Sequence, residues 1–173
     1  MAKQLRKYAS FFEWFDKGRK ELGVVEELLV SLNSVYGLGW REPMLQKPDP
    51  PDCTCLSPSG DRVAIEVAEV VCEVATRLNA QGQSVVRDWH SGELRTHIAA
   101  LLREKDATAY HGGPYNEIAV CLFTDEPYLI LSEVSRELGS TDFGPFVQID
   151  SVFLLFSYDP NTETYPVLKL RTA

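Results

Sequence analysis

Lys47-Pro-Asp-Pro-Pro-Asp52, followed by Val63-Ala-Ile-Glu66-Val-Ala68, is the stretch on which the reading of the fold turns. Between its two halves lie Cys53-Thr-Cys-Leu56 and the turn Ser57-Pro-Ser-Gly-Asp61, and the β-branched run continues from Val63 to Val71. The pattern predicts two strands joined by a tight turn. Asp52 stands at the mouth of the first strand and Glu66 in the middle of the second, so folding the strands back brings the two carboxylates side by side. Period-two alternation puts Ala64, Glu66, Ala68 and Val70 on one face, and Val63, Ile65, Val67, Glu69 and Val71 on the other. Glu66 therefore has small neighbours, with room beside it for an ion, a substrate or another side chain. An acidic, oxygen-only pair suits Mg²⁺ or Mn²⁺, which can activate a water beside a phosphate. The plainer alternative is a salt-bridged strand glutamate near the sheet edge, and Glu69 reads as a structural ion-pair or capping residue.

Upstream, residues from about Tyr8 to Tyr36 read as helix, because Leu22, Val25, Leu28, Leu29, Leu32 and Tyr36 recur at three- and four-residue steps. Gly18 and Gly23 are points at which that helix could break, and Gly37-Leu-Gly39 is a stop signal. Pro43 to Pro51 reads as a proline-rich connector. Downstream, a polar stretch around Asn79 to Gln83 precedes a second helix, roughly Val85 to Ala107, with its apolar stripe through Leu94, Ile98, Leu101 and Leu102. Gly112, Gly113 and Pro114 end it. A strand from Glu117 to Thr124, a short helix near Ser132 to Leu138, a strand from Val152 to Tyr158, a turn at Asp159 to Thr162 and a strand from Tyr165 to Arg171 complete the order. Strands apolar on both faces, separated by helices, predict an α/β fold: a mixed β-sheet flanked by helices. One domain over 1–173 is expected, with a helical segment at 1–40, a core at 50–125 and C-terminal strands at 126–173 completing or extending the sheet.

The chain has 173 residues, 45% hydrophobic and 24% charged, near globular averages. No apolar run approaches the ~20 residues of a membrane span, so no membrane partner is expected. Met1 to Arg6 lacks the layout of a secretory signal, and a cytoplasmic protein is expected. Seventeen basic residues against 25 acidic ones give a net charge of −8, the wrong sign for indiscriminate binding to nucleic acid, so any such contact must be local. Cys53, Cys55, Cys72 and Cys121 lie in or beside strand-like runs without a CxxC knuckle, and His90, His97 and His111 lack ligand spacing, so reduced core thiols are expected rather than zinc. No nucleophile elbow, P-loop, dinucleotide loop, HExxH, internal repeat or low-complexity tract occurs.

Pro51-Asp52, a turn, and an apolar strand carrying Glu66-Val-Ala68 resemble the PD-(D/E)xK nuclease superfamily, over about Glu21 to Thr124. The resemblance implies a restriction-endonuclease-like fold, with Asp52 and Glu66 as ligands of Mg²⁺ or Mn²⁺ and the backbone carbonyl of Val67 as a third. It also implies a lysine two positions after the glutamate to orient or activate the attacking water. Here that position is Ala68. Placing the second helix at about 100° per residue from Ile98 puts Lys105 near −20°, in the middle of the apolar stripe and facing the sheet. From there it can extend past Ala68 toward the carboxylates; the plainer reading is a snorkelling lysine at a helix end. Glu21 falls within about 40° of Val25 on the first helix, and the resemblance makes it an extra acidic residue of the site; Glu13, Glu26 and Glu27 lie at the edge or back of that helix.

Two functions follow as expectations. The first is a metal-dependent nuclease, hydrolysing phosphodiesters of DNA or RNA with Asp52, Glu66, Lys105 and Glu21. The alternative is a catalytically inactive nuclease-like domain that binds protein or nucleic acid. Metal binding discriminates them, and so does the distance of Lys105 from Glu66: beyond ~10 Å, the inactive reading gains. His90 beside Trp89, the Gln81-Gly-Gln83 loop and Arg77, Arg87, Arg95 and Arg103 are candidates for a nucleic-acid groove. Phe143 to Phe146 and Tyr158 to Tyr165 could serve a homodimer or partner interface, or else belong to the core.

Overall fold

The computed structural model describes residues 16–83, 85 and 88–172. Its first helix, α1 (Lys17–Tyr36), is capped by Asp16, whose side chain accepts the Arg19 N–H at 2.9 Å. The expected start at Tyr8 lies outside the described residues, as does Glu13. Neither glycine breaks it: α1 runs through Gly18 and Gly23, because Val24, Val25, Leu28, Leu29 and Leu32 form one buried face that outweighs two poor helix formers. Gly37, at φ 63°, closes it with an N–H to the Asn33 carbonyl.

A six-stranded mixed sheet follows, in the order β1-β2-β3-β4-β5-β6. Its strands are β1 (Arg41–Leu45), β2 (Cys53–Leu56), β3 (Arg62–Glu69), β4 (Glu117–Phe123), β5 (Ser151–Leu155) and β6 (Val167–Leu170). Part of the Pro43–Pro51 connector is thus a strand: β1 pairs antiparallel with β2, with an irregular register between Arg41 and Met44 where Glu42 takes φ 58°. The predicted hairpin forms with Cys53 opposite Ile65 and Leu56 opposite Arg62. β3, β4 and β5 run parallel, and β6 returns antiparallel. Glu66 therefore lies on an interior strand, not near the sheet edge.

Three more helices lie among the described residues: α2 (Glu73–Ala80), α3 (Glu93–Asp106) and α4 (Leu131–Leu138). α2 was not expected, since its eight residues bury only Ala75 and leave almost no apolar period to read. α3 begins later than Val85, after Gly92, whose φ of 78° is not helical, and where the Glu93 side chain accepts the His90 N–H.

The alternation along β3 sorts residues into two cores. Val63, Ile65 and Val67 pack with α1, Trp40, Cys53, Cys55, Cys121 and Phe153 on one face. Ala68 and Val70 pack with Leu94, Ile98 and Leu102 of α3 and Val134 and Leu138 of α4 on the other. All four cysteines are buried thiols. Phe143, Phe146 and Tyr165 pack against these clusters, which places them with the core, while Tyr158 is half-exposed against Tyr165. Among the described residues, no helix is long and apolar enough to cross a membrane.

Candidate metal centre

The prolines at 48, 50 and 51 have no N–H to donate to a ladder, so β2 cannot extend backwards alongside β3. It starts at Cys53, and the open edge of β3 is met instead by a side chain: Asp52 Oδ2 accepts the Val67 N–H at 2.8 Å. The loop is closed by the Gln46 N–H to the Asp52 carbonyl and clasped from outside by the His111 N–H to the Pro50 carbonyl. In an extended strand the N–H and C=O of one residue point to the same edge, so the Val67 carbonyl is turned toward the same opening.

Glu66 reaches this opening from the middle of β3. One carboxylate oxygen each from Asp49, Asp52 and Glu66 lies within 4.8 Å of the others, a group that could hold a metal ion. Asp49 was not singled out by sequence reasoning, although its place three residues before Asp52 in the same proline-bound loop is the signal that could have found it. Glu66 is 2% exposed, and its Oε1 has no hydrogen-bond partner among the described residues. A buried carboxylate oxygen left so is costly. The oxygen-only donor set and the orphaned Oε1 both fit Mg²⁺ or Mn²⁺.

The other oxygen, Oε2, meets Lys105 Nζ at 2.5 Å, with the lysine reaching from the last turn of α3 on the Ala68 side of the sheet. The small side chain at 68 leaves the path open. Tyr110 steadies that turn by donating its hydroxyl to the Lys105 carbonyl at 2.8 Å. Burial pushes the Glu66 carboxyl up, the Lys105 hydrogen bond only partly restrains it, and the charge of Asp52 adds to the rise. Burial alone would lower the Lys105 ammonium, but its bond to Glu66 and the surrounding carboxylates raise it above the usual 10.5.

Glu21 enters from the opposite face, on the first turns of α1. Burial and the neighbouring Asp52 charge raise its carboxyl, against the pull of Lys17. Lys17, also missed in the sequence, sits among three carboxylates, at 3.1 Å from Glu21, 3.5 Å from Asp49 and 3.9 Å from Asp52. Its spacing of four from Glu21 was legible, but its approach to the loop was not. Thus Glu21, Asp52, Glu66 and Lys105 converge, joined by Asp49 and Lys17.

The other candidates do not join them. Glu69 pairs with Lys20 at 2.9 Å, the structural role expected of it. Arg95 and Arg103 line a separate groove of about 710 Å³ between α3 and residues 140–146, which contains none of the four clustered carboxylates. Arg77, His90, Gln81 and Gln83 are exposed, and Arg87 lies outside the described residues. Compared with family models, curated proteins and solved structures, the chain matches none.

Proposed function

We propose that this protein is a divalent-metal-dependent phosphodiesterase acting on nucleic acid, built on a restriction-endonuclease-like arrangement of its mixed sheet. The observation that carries the reading is the 2.5 Å contact of Lys105 with Glu66, which returns a cation to the place where Ala68 lacks one. Asp49, Asp52, Glu66 and the Val67 carbonyl would hold Mg²⁺ or Mn²⁺. When bound, the ion would polarise a phosphoryl oxygen and lower the pKa of a coordinated water.

The chain's own groups support this in separate ways. Lys105 fixes the orientation of Glu66 and would supply a positive charge beside the carboxylates to offset charge developing on a phosphoryl group. Glu21, half-buried beside Asp52, can accept a proton or hold a water at the edge of the cluster. Asp52, tied to the Val67 N–H, is held still for its ligand role. A Lys105 far from Glu66 would have favoured the inactive-domain reading, and the 2.5 Å contact does not supply it.

The test is a calorimetric Mn²⁺ titration of wild type, Asp52→Asn and Glu66→Ala, followed by cleavage assays on single- and double-stranded DNA and RNA with Lys105→Ala. Binding is expected in the wild type alone, and cleavage is expected to fall at least a hundredfold without Lys105. Asp52→Asn is preferred to alanine because its amide oxygen can still accept the Val67 N–H. Cleavage retained in both carboxylate variants would overturn the proposal.

A further inference from the structure

Lys17 differs from Lys105 in how it is held. Lys105 is four-fifths covered and bonded to one buried oxygen, whereas the Lys17 side chain is 75% exposed on the first turn of α1. Its ammonium nevertheless faces Glu21, Asp49 and Asp52 together. Asp49 and Asp52 are the two carboxylates that gather with Glu66 around the candidate ion position.

A Mg²⁺-sized ion binds oxygen at roughly 2.1 Å, so one seated on Asp49 and Asp52 comes within several ångströms of an ammonium already near the same two carboxylates. Like charges at that range repel even in a water-like dielectric. The lysine has an exit, since its stem is solvated and no other described group holds its ammonium. Glu66 Oε1, buried and without a hydrogen-bond partner among the described residues, is not one of the oxygens that Lys17 pairs with and offers the ion a further ligand.

We propose that Lys17 is a displaceable internal counter-ion: it neutralises Asp49, Asp52 and Glu21 in the ion-free protein and swings into solvent when a divalent cation takes Asp49 and Asp52. The inference rests on the metal reading above. Metal entry then also frees Glu21 from its ion pair, so one event loads the site and releases a carboxylate beside it. Lys17 weakens resting affinity for divalent ions and keeps four crowded carboxylates compatible with the fold when none is bound.

The experiment is Mn²⁺ calorimetry at low ionic strength on the full chain, comparing wild type, Lys17→Met and Lys17→Arg. Lys17→Met is expected to bind at least threefold more tightly than wild type, and Lys17→Arg, which keeps the charge, to remain within twofold of it. Binding seen only in Lys17→Met would support the inference as well. If wild type binds and Lys17→Met binds equally or more weakly, or if both variants tighten alike, the counter-ion role is overturned while the metal site stands. If neither wild type nor Lys17→Met binds, both readings fall. A thermal melt in EDTA checks that each variant is folded.

Discussion

Glu66 and Lys105 form a pair whose strength depends on which side of it is charged. With burial holding the Glu66 carboxyl above its usual 4.5, the folded state favours its protonated form more than the unfolded chain does. A raised carboxyl contributes stability that is full below the unfolded value and lost as pH rises through the folded one. Lys105 limits that loss by bonding the ionised form. Removing it with Lys105→Met leaves a buried carboxylate without its cation, so the variant should approach wild type at about pH 4, below the usual carboxyl value, and fall about 2–3 kcal/mol below it at about pH 8. Urea denaturation at the two pH values measures this; an equal deficit at both would show that lost packing, not charge, is the cause. Lys105 and Glu21 were legible because a helix turns residues by a fixed angle, so a face can be computed from spacing. Asp49 and Lys17 were not, since a loop of prolines has no period and the meeting of a loop with a helix end is a tertiary event.

Between α1 and β1, the chain reverses through a side-chain clasp. Asn33 Nδ2 donates to the Trp40 carbonyl at 2.8 Å, and the Trp40 N–H donates to Asn33 Oδ1 at 2.9 Å, so one amide stands in for a strand partner. Trp40 is thereby held edge-on against Phe153 in the core. Asn33→Ala should cost about 1–3 kcal/mol, since it leaves both backbone groups unpaired in a part-buried place. Asn33→Asp should recover only the acceptor half. Chemical denaturation of the two variants decides it, and an alanine variant as stable as wild type would assign the reversal to Gly37 and Gly39 alone. The same region marks where the sequence stops being readable by element. α1, the β2–β3 hairpin and β4 announce themselves by long apolar periods. β1 does not, because Pro43 and a left-handed Glu42 interrupt its pattern, and its burial is slight on both faces.

Across the whole molecule, one sheet separates two apolar layers, and its central strands supply side chains to both. Neither layer can open without exposing strands that the other needs, so the chain should unfold as one unit. Buried within the α1 layer are the thiols of Cys53, Cys55 and Cys121. Burial pushes Cys53 and Cys55 up to about 12, and Cys121 higher still. A thiol that holds its proton so firmly is inert toward disulfide reagents while it stays covered. These three sulfurs therefore act as a clock: at pH 8 each should react only during openings that expose the sheet, and all three should report one shared rate. Reaction followed by mass spectrometry at fixed reagent would time those openings directly, without added denaturant. Three separate rates would mean that the α1 layer loosens piece by piece.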